Sequence, residues 1–532
     1  MNLRKIPYPP QSIGSFLRDS AWEGKGSGLY PLEGITADPA KAKAQIIERF
    51  DLQDRQTLKQ VFQSQMGQQI SALQQQNIDL LVEPNAFAVV NGQQIHVGLG
   101  PAYVLYKIAS TIQWANNLKS KYPQDHFIPV FWMATEDHDV AEINHFDLHQ
   151  ERYQWDLAWN SAVGDMPTAT LASLFDWLVE KLGRNQEVID RIESVRAMYL
   201  QPHATLATAT ASWVTSLFAE FGLLVLDPRD LRLKKQAKSL FEQSLFGQTL
   251  HSAFQQSTER LQTAQQTPPA HVGKSLVFWM DEHRRTRIEP QENGFQTADG
   301  AIQWTAEQMQ AVINSDDIVH LSANVLLRPL YQQVVLPCIA YVGGPSEYLY
   351  WLQTAHAFEV ANVTPPQLLH RKGGVILTPS QRKKLDRLGL TVEDCFKGVE
   401  AVKEQILQRI AGENVLLNQI EAAHEQLQEQ LKSLYQWKSP LLSESKKEID
   451  AFVKWQKKMG KAATEAYLQD QFSADIWQSA AHLIASQFSA SAPQERTLHW
   501  AQYWFLYGQD WISALCSSGD YSAEESFFVL EL

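Results

Sequence analysis

The sequence predicts an α/β protein: a parallel sheet with helical connecting insertions, followed by a long helical hairpin. Three observations carry that prediction. Apolar runs of strand length alternate with helical stretches, as in "NAFAVVNGQQ", "GPAYVLYKIASTIQWANNL" and "FIPVFWMA", which is the rhythm of βαβ units. Several of those runs end in a glycine-containing loop that opens a helix, the junction at which open parallel sheets bind ligands. Beyond about residue 378 the apolar spacing changes to alternating steps of three and four, the seam of a coiled coil.

Taken in order, the first eighty or so residues read as helices with polar loops. In "LKQVFQSQMGQQISALQQQ", Val61, Phe62, Met66, Ile70 and Leu73 recur at helical spacing, so the glutamines form a solvated face. Strand, glycine loop, helix and strand follow, and the acidic run after "FIPVFWMA" is expected to open the next helix. From about 165 to 215 the chain is mostly helical and reads as an insertion in the sheet. "LFAEFGLLVLDPRDLRLKKQAKSLF" gives helix, strand, Asp-Pro turn and helix. "SLVFWM" and "VVLPCIAYVGG" supply later strands of the sheet, the second entering the helix "PSEYLYWLQTAHAF". In the arm, Leu417, Ile420, His424, Leu427, Leu431 and Leu434 form the seam, Pro440 breaks it, and "KKEIDAFVKWQKKMGKAATEAY" begins the returning helix. The expected domains are 1–377 for the core, 378–475 for the antiparallel arm, and 476–532 for an aromatic-rich helical segment packing back on the core. The arm serves either as an intramolecular hairpin or as a dimer interface, and a homodimer through it is the expected assembly.

Composition narrows the partners. At 532 residues, 44% hydrophobic and 20% charged, the chain has the makeup of a soluble globular protein with more than one domain. Its net charge of −13 argues against generic nucleic-acid binding. Cys338, Cys395 and Cys516 stand far apart, which excludes a cysteine-built zinc site and a disulfide framework and fits a reducing cytoplasm. The N-terminus lacks the apolar stretch of a signal peptide, and Arg328 interrupts the longest apolar run, so no membrane partner is expected.

The densest chemistry lies in "FIPVFWMATEDHDVAEINH". Between Glu136 and His145 stand four carboxylates (Glu136, Asp137, Asp139, Glu142) and two histidines (His138, His145), without a Lys or Arg. Like charges this close raise one another's pKa and cost stability. A helix N-terminus rewards an acid by about 0.3–1 kcal/mol, which accounts for one or two of these groups. On a helix, His138, Glu142 and His145 share one face, suited to a divalent metal, a substrate ammonium or acid/base chemistry; which of these is left open. The loop "VVNGQQIHVGLGPAYVLYK" has glycines between strand and helix, but Tyr103 stands where a dinucleotide fingerprint has its third glycine. It is either a tight turn or a wall for polar substrate groups, with Gln93 and Gln94 apt for the latter. "VGKSLVFW" is not a phosphate loop, since Pro268 replaces its first glycine. Cys338 lies in an apolar run and reads as core. Arg328, inside "ANVLLRPLYQQ", needs a partner, either Glu347 or another acid of the chain, or a substrate carboxylate.

Together, "NGQQ…GPAYVLYK", "FWMATEDHDVAEINH", "GLLVLDPRD", "NVLLRPLYQQVVLP", "YVGGPSEYLYW" and the closing "PQER" resemble the cysteine-ligase family of bacillithiol biosynthesis, in family order over roughly residues 85 to 510. The chain departs from the family pattern at Asn91, in "IHVGLG", and at His370 and Arg371. The resemblance implies a Rossmann-type core similar to that of class I aminoacyl-tRNA synthetases. It also implies that cysteine is joined to glucosaminyl-malate. A carboxylate and an amine do not condense unaided in water, so ATP is the expected co-substrate. Under the same resemblance His138 and His145 stabilise charge or transfer a proton, and Glu136, Asp137 or Asp139 hold the sugar amine or orient the histidines. Gly92, Gln93, Gln94, Gly100, Tyr103, Lys107, Asn324, Gly343, Gly344 and Glu347 line the pocket, and Arg328 takes a substrate carboxylate. Arg371, Lys372 and Arg496 are the candidate nucleotide contacts. A hydrolase with paired carboxylates, or a non-catalytic nucleotide- or aminosugar-binding coiled-coil protein, are the rival classes; the first needs no ATP and the second shows no turnover.

Overall fold

The computed structural model describes residues 2–6, 39–67, 70–148, 151–264, 266–413, 474–488, 493–518 and 527–532, with isolated positions between 422 and 462. The described chain forms two compact units, one of Leu3–Gly374 with Glu495–Phe528 and one of Val375–Gln494 with Val529–Leu532.

The first unit is organised by five strands: β1 (Ala86–Gln93), β2 (His126–Met133), β3 (Leu224–Leu226), β4 (Cys338–Gly343) and β5 (Gln367–His370). They lie in the order β5-β4-β1-β2-β3, and all four neighbouring pairs are parallel. Read from the β3 edge this is the doubly wound order 3-2-1-4-5, whose topological switch falls between β1 and β4. The strands are apolar on both faces because both faces are covered. Ala86, Ala88 and Val90 of β1 join Ile128, Val130 and Trp132 of β2 in one core, while Phe87 and Val89 join Phe127, Ile339 and Val342 in the other. Helix α1 (Ala102–Lys121) connects β1 to β2 and is almost continuously buried from Ala102 to Ala115.

Between β2 and β3 the chain inserts the helices Ala172–Leu182, Gln186–Tyr199 and Leu206–Leu217. Trp213 in the last of these stacks on Trp500 and Phe505, at 6.5 and 5.9 Å between ring centres. The aromatic segment after Glu495 is thereby tied to this unit, and Gln113 of α1 also donates to Leu515 O at 2.5 Å.

"SLVFWM" is not a strand of the parallel sheet. Val277–Met280 belongs to a separate five-stranded sheet inserted between β3 and β4, together with Arg285–Gln291, Gly294–Thr297, Gln303–Thr305 and Leu321–Ala323, all paired antiparallel. A four-residue apolar strand carries no period by which to choose its sheet.

In the second unit, Pro379–Arg387, Val392–Cys395, Val399–Glu413 and Ala474–Gln487 are helical, and the chain end returns so that Leu532 N–H donates to Leu377 O at 2.9 Å. The seam from Leu417 to Leu434 and the turn at Pro440 lie outside the described residues. Cys338, Cys395 and Cys516 are free and buried, and no described helix is long and apolar enough to cross a membrane.

Candidate active site

The site begins at the switch point. Lys107, in the second turn of α1, is fully buried and reaches Gly92 O at the end of β1 at 2.5 Å and the Glu347 carboxylate at 2.6 Å. Glu347 stands in the first turn of the helix α2 (Pro345–Leu352), which leaves β4 through Gly343 and Gly344. Its carboxylate also accepts from Tyr341 Oη at 2.7 Å, Tyr350 Oη at 3.1 Å and Gly344 N at 2.8 Å. Burial by itself raises a carboxyl pKa, but Lys107 and these donors outweigh it and hold Glu347 below the usual range. Burial pushes Lys107 down to about 8, with Glu347 opposing the shift.

Arg328 opens the helix Arg328–Val335 beside this cluster. Lys107, not Arg328, takes Glu347. The guanidinium lies over the rings of Tyr341 and Trp351, at 5.5 and 6.0 Å, and contacts Gln332 Oε1 at 3.1 Å and Tyr350 Oη at 3.4 Å. None of these groups is a carboxylate, so among the described residues the Arg328 charge has no ion-pair partner.

The acidic run lies beyond the carboxyl end of β2, but not on the helix expected of it. Thr135 and Glu136 form a turn, Asp137–Asp139 are irregular, helix is confined to Val140–Ile143, and His145 opens the short strand His145–Leu148. The shared face of His138, Glu142 and His145 therefore does not exist. Asp139 and Glu142 are exposed, and His145 turns to His499, 5.5 Å between ring centres. Among the described residues no group of three or more His, Cys, Asp or Glu is placed to hold a metal ion. The acids also have partners that their local sequence lacks. Buried Lys234 pairs with Glu136, which accepts from Ser322 Oγ at 3.1 Å as well. Asp137 accepts from Gln94 Nε2, and from the main-chain N–H of His138 at 2.8 Å. Burial raises the Asp137 pKa, but the neighbouring His138 side chain, the Gln94 bond, the Arg285 charge and the His138 main-chain N–H override it, so Asp137 is a carboxylate well below the usual range.

The two clusters face one cavity of about 650 Å³ at the carboxyl ends of β1, β2 and β4. Of the sequence-predicted residues, Gly92, Gln93, Gln94, Tyr103, Glu136, Asp137, His138, Asn324, Arg328, Gly344, Glu347, Arg371 and Arg496 line it. Lys107 and Gly343 support the wall from behind. Gly100 is not part of it: its φ of +70° and the His96 ring 2.8 Å from a hypothetical Cβ mark a tight turn. Asp139 and His145 are also outside the lining. Buried Lys372 lies over Phe528 at 5.1 Å rather than facing the cavity, and Arg371 is bound by Glu495 in two hydrogen bonds of 2.7 and 3.0 Å. Arg496 contacts Ser346 Oγ at 3.4 Å. Sequence reasoning missed Lys234, Phe278, Arg285 and Tyr350. Arg285 and Phe278 come from the inserted antiparallel sheet, and nothing in "VFWMDEHRRTR" separates Arg285 from its neighbouring arginines.

Residues 28–372 match the model of the N-terminal Rossmann-like domain of bacillithiol biosynthesis BshC, and residues 374–532 match its C-terminal coiled-coil domain. The chain belongs to the BshC family. Relatives named "Putative cysteine ligase BshC" include one from Flavobacterium johnsoniae, 31% identical over 86% of this chain and 85% of its own length. One from Christiangramia forsetii is 30% identical over 92% and 91%, and one from Flavobacterium psychrophilum is 35% identical over 64% and 62%. In this BshC-family cavity, ionised Asp137 suits an ammonium, while Arg328 suits carboxylate or phosphate oxygens.

Proposed function

We propose that the protein joins the carboxyl group of cysteine to the amine of glucosaminyl-malate, with ATP activating the carboxylate. The observation that carries this reading is the pairing state of the cavity. Glu136 and Glu347 are satisfied by buried lysines, whereas Arg328 faces the cavity with no carboxylate partner among the described residues. A sugar malate offers a carboxylate to that guanidinium and an amine to Asp137. An acyl-phosphate or acyl-adenylate from ATP adds further anionic oxygens, for which Arg496 and the adjacent Ser346 are suited. The names of the relatives agree with a ligase of this kind. Three buried free cysteines fit a reducing cytoplasm, and a homodimer through the coiled-coil arm belongs to the same proposal.

The test is reconstitution. Purified protein with cysteine, glucosaminyl-malate and ATP should give the bacillithiol mass, and omission of ATP should abolish it. A deletion strain should accumulate glucosaminyl-malate and lose bacillithiol; an unchanged thiol profile refutes the reading. Light scattering of the full chain checks the dimer.

A further inference from the structure

His138 has two opposite roles open to it at the cavity wall: an imidazole lone pair that takes a proton, or an N–H that donates to a charged oxygen. Its Nδ1 lies 3.1 Å from Arg285 Nη1. A guanidinium has donors and no acceptor, so in this contact Nδ1 is the lone-pair nitrogen and the neutral ring carries its proton on Nε2. The competing partner of Nδ1, Asp137 Oδ1, is 3.6 Å away, too long for a hydrogen bond, and already accepts the His138 main-chain N–H. Arg285 is fixed in turn. Its Nε donates to Ser322 Oγ and its Nη2 to Ala323 O, each at 3.1 Å, and its guanidinium carbon lies 4.3 Å from the centre of the Phe278 ring. Phe278, Ser322 and Ala323 sit on paired strands of the inserted antiparallel sheet, with Ser322 directly opposite Phe278. That sheet therefore sets the Arg285 plane, and Arg285 sets the ring.

We propose that Arg285 is a positioning residue that locks His138 as the Nε2–H tautomer, so that His138 donates a hydrogen bond to the oxygen gaining charge in acyl transfer and does not take the amine proton. The assignment of the oxygen rests on the ligase reading; the tautomer does not. In that step the amine nitrogen bonds to the activated carbonyl carbon and the π pair moves onto the carbonyl oxygen, beside Nε2–H. The pair then returns as the C–O bond to phosphate breaks, and the phosphate leaves with that bond's electrons and takes up the amine proton. A neutral N–H donor gives charge stabilisation without a change in its own protonation.

Three measurements on the full-length protein test this. In ¹⁵N-histidine-labelled protein at pH 8.5, with His138 assigned by its loss in His138→Gln, the ring should show the Nε2-protonated pattern; an Nδ1-protonated ring overturns the proposal whether or not the protein turns over. His138→Gln, whose amide N–H reaches close to the Nε2 position, should keep at least about a tenth of kcat, while His138→Ala and His138→Asn lose about 10²–10³-fold. A general base is not rescued by Gln, so equal losses in Gln and Ala overturn the donor role. Arg285→Met should lower kcat on its own yet add no further loss to His138→Ala, and losses that multiply overturn the positioning role. Where Arg285→Met does not fold, Arg285→Lys takes its place in the same cycle. If the wild-type protein forms no product, the ligase reading fails and the tautomer is still decided by the spectrum.

Discussion

Acid sensitivity of the fold should come in large part from three buried histidines, and its size can be worked out. Burial, with smaller contributions from neighbouring charges, lowers His96 to about 4 and His499 and His370 to about 3, from an ordinary 6.5. Around His96 and His499 stand His145, Asp147, Arg152 and Asp137, and His499 Nδ1 accepts the main-chain N–H of Asp147 at 3.1 Å, which uses the neutral ring. With folded values below the unfolded one, the unfolded chain binds the extra protons. The stabilisation is complete above pH 6.5 and is lost as the pH falls toward 4 and 3. Between pH 7.0 and 5.5 each such histidine costs about 1 kcal/mol, and the three together about 3–4 kcal/mol. His499→Asn keeps an acceptor near Nδ1 and removes one titrating ring. Urea denaturation followed by tryptophan fluorescence, at both pH values and for both proteins, should show the acid-induced loss shrinking by about 1 kcal/mol in the variant. Trp213, Trp500 and Trp511 lie in the adjoining aromatic core and report the transition. An unchanged pH dependence would refute the claim that His499 is buried neutral.

Other perturbations have equally defined outcomes. Lys234→Met leaves Glu136 buried without its ammonium and should destabilise by about 3–5 kcal/mol, with Lys234→Met/Glu136→Gln recovering much of that by thermal or chemical denaturation. Arg328→Ala should raise KM for the carboxylate-bearing acceptor by about 30-fold or more, equivalent to about 2 kcal/mol, with a smaller change in kcat in steady-state kinetics. Gly100→Ala puts a Cβ against His96 at positive φ and should cost about 1–3 kcal/mol in a melt, while Km values in the surviving fold stay near wild type.

The strand–helix rhythm was legible because it is local. β1, α1, β2, β4 and α2 appear where the apolar runs and glycine junctions place them, and the two ends of the cavity were named by Gln93, Asp137, His138 and Glu347. "SLVFWM" was misplaced because its four strand residues look alike in either sheet. The helix expected from Glu136 did not form because Glu136 and Asp137 turn away to meet Lys234 and Gln94. Local spacing carries no information about such distant partners.

By itself the sequence determined the α/β class, the family, and many of the side chains that line the cavity, since each depends on residue type and order along the chain. Tertiary structure alone decided how the charges pair. Lys107 rather than Arg328 took Glu347, leaving Arg328 without an ion-pair partner among the described residues, and Lys234 and Arg285 entered the acidic cluster from nearly a hundred residues or more away in the chain. Coulomb interactions and hydrogen bonds act over a few ångströms of space, and only the folded sheet brings those atoms within that reach.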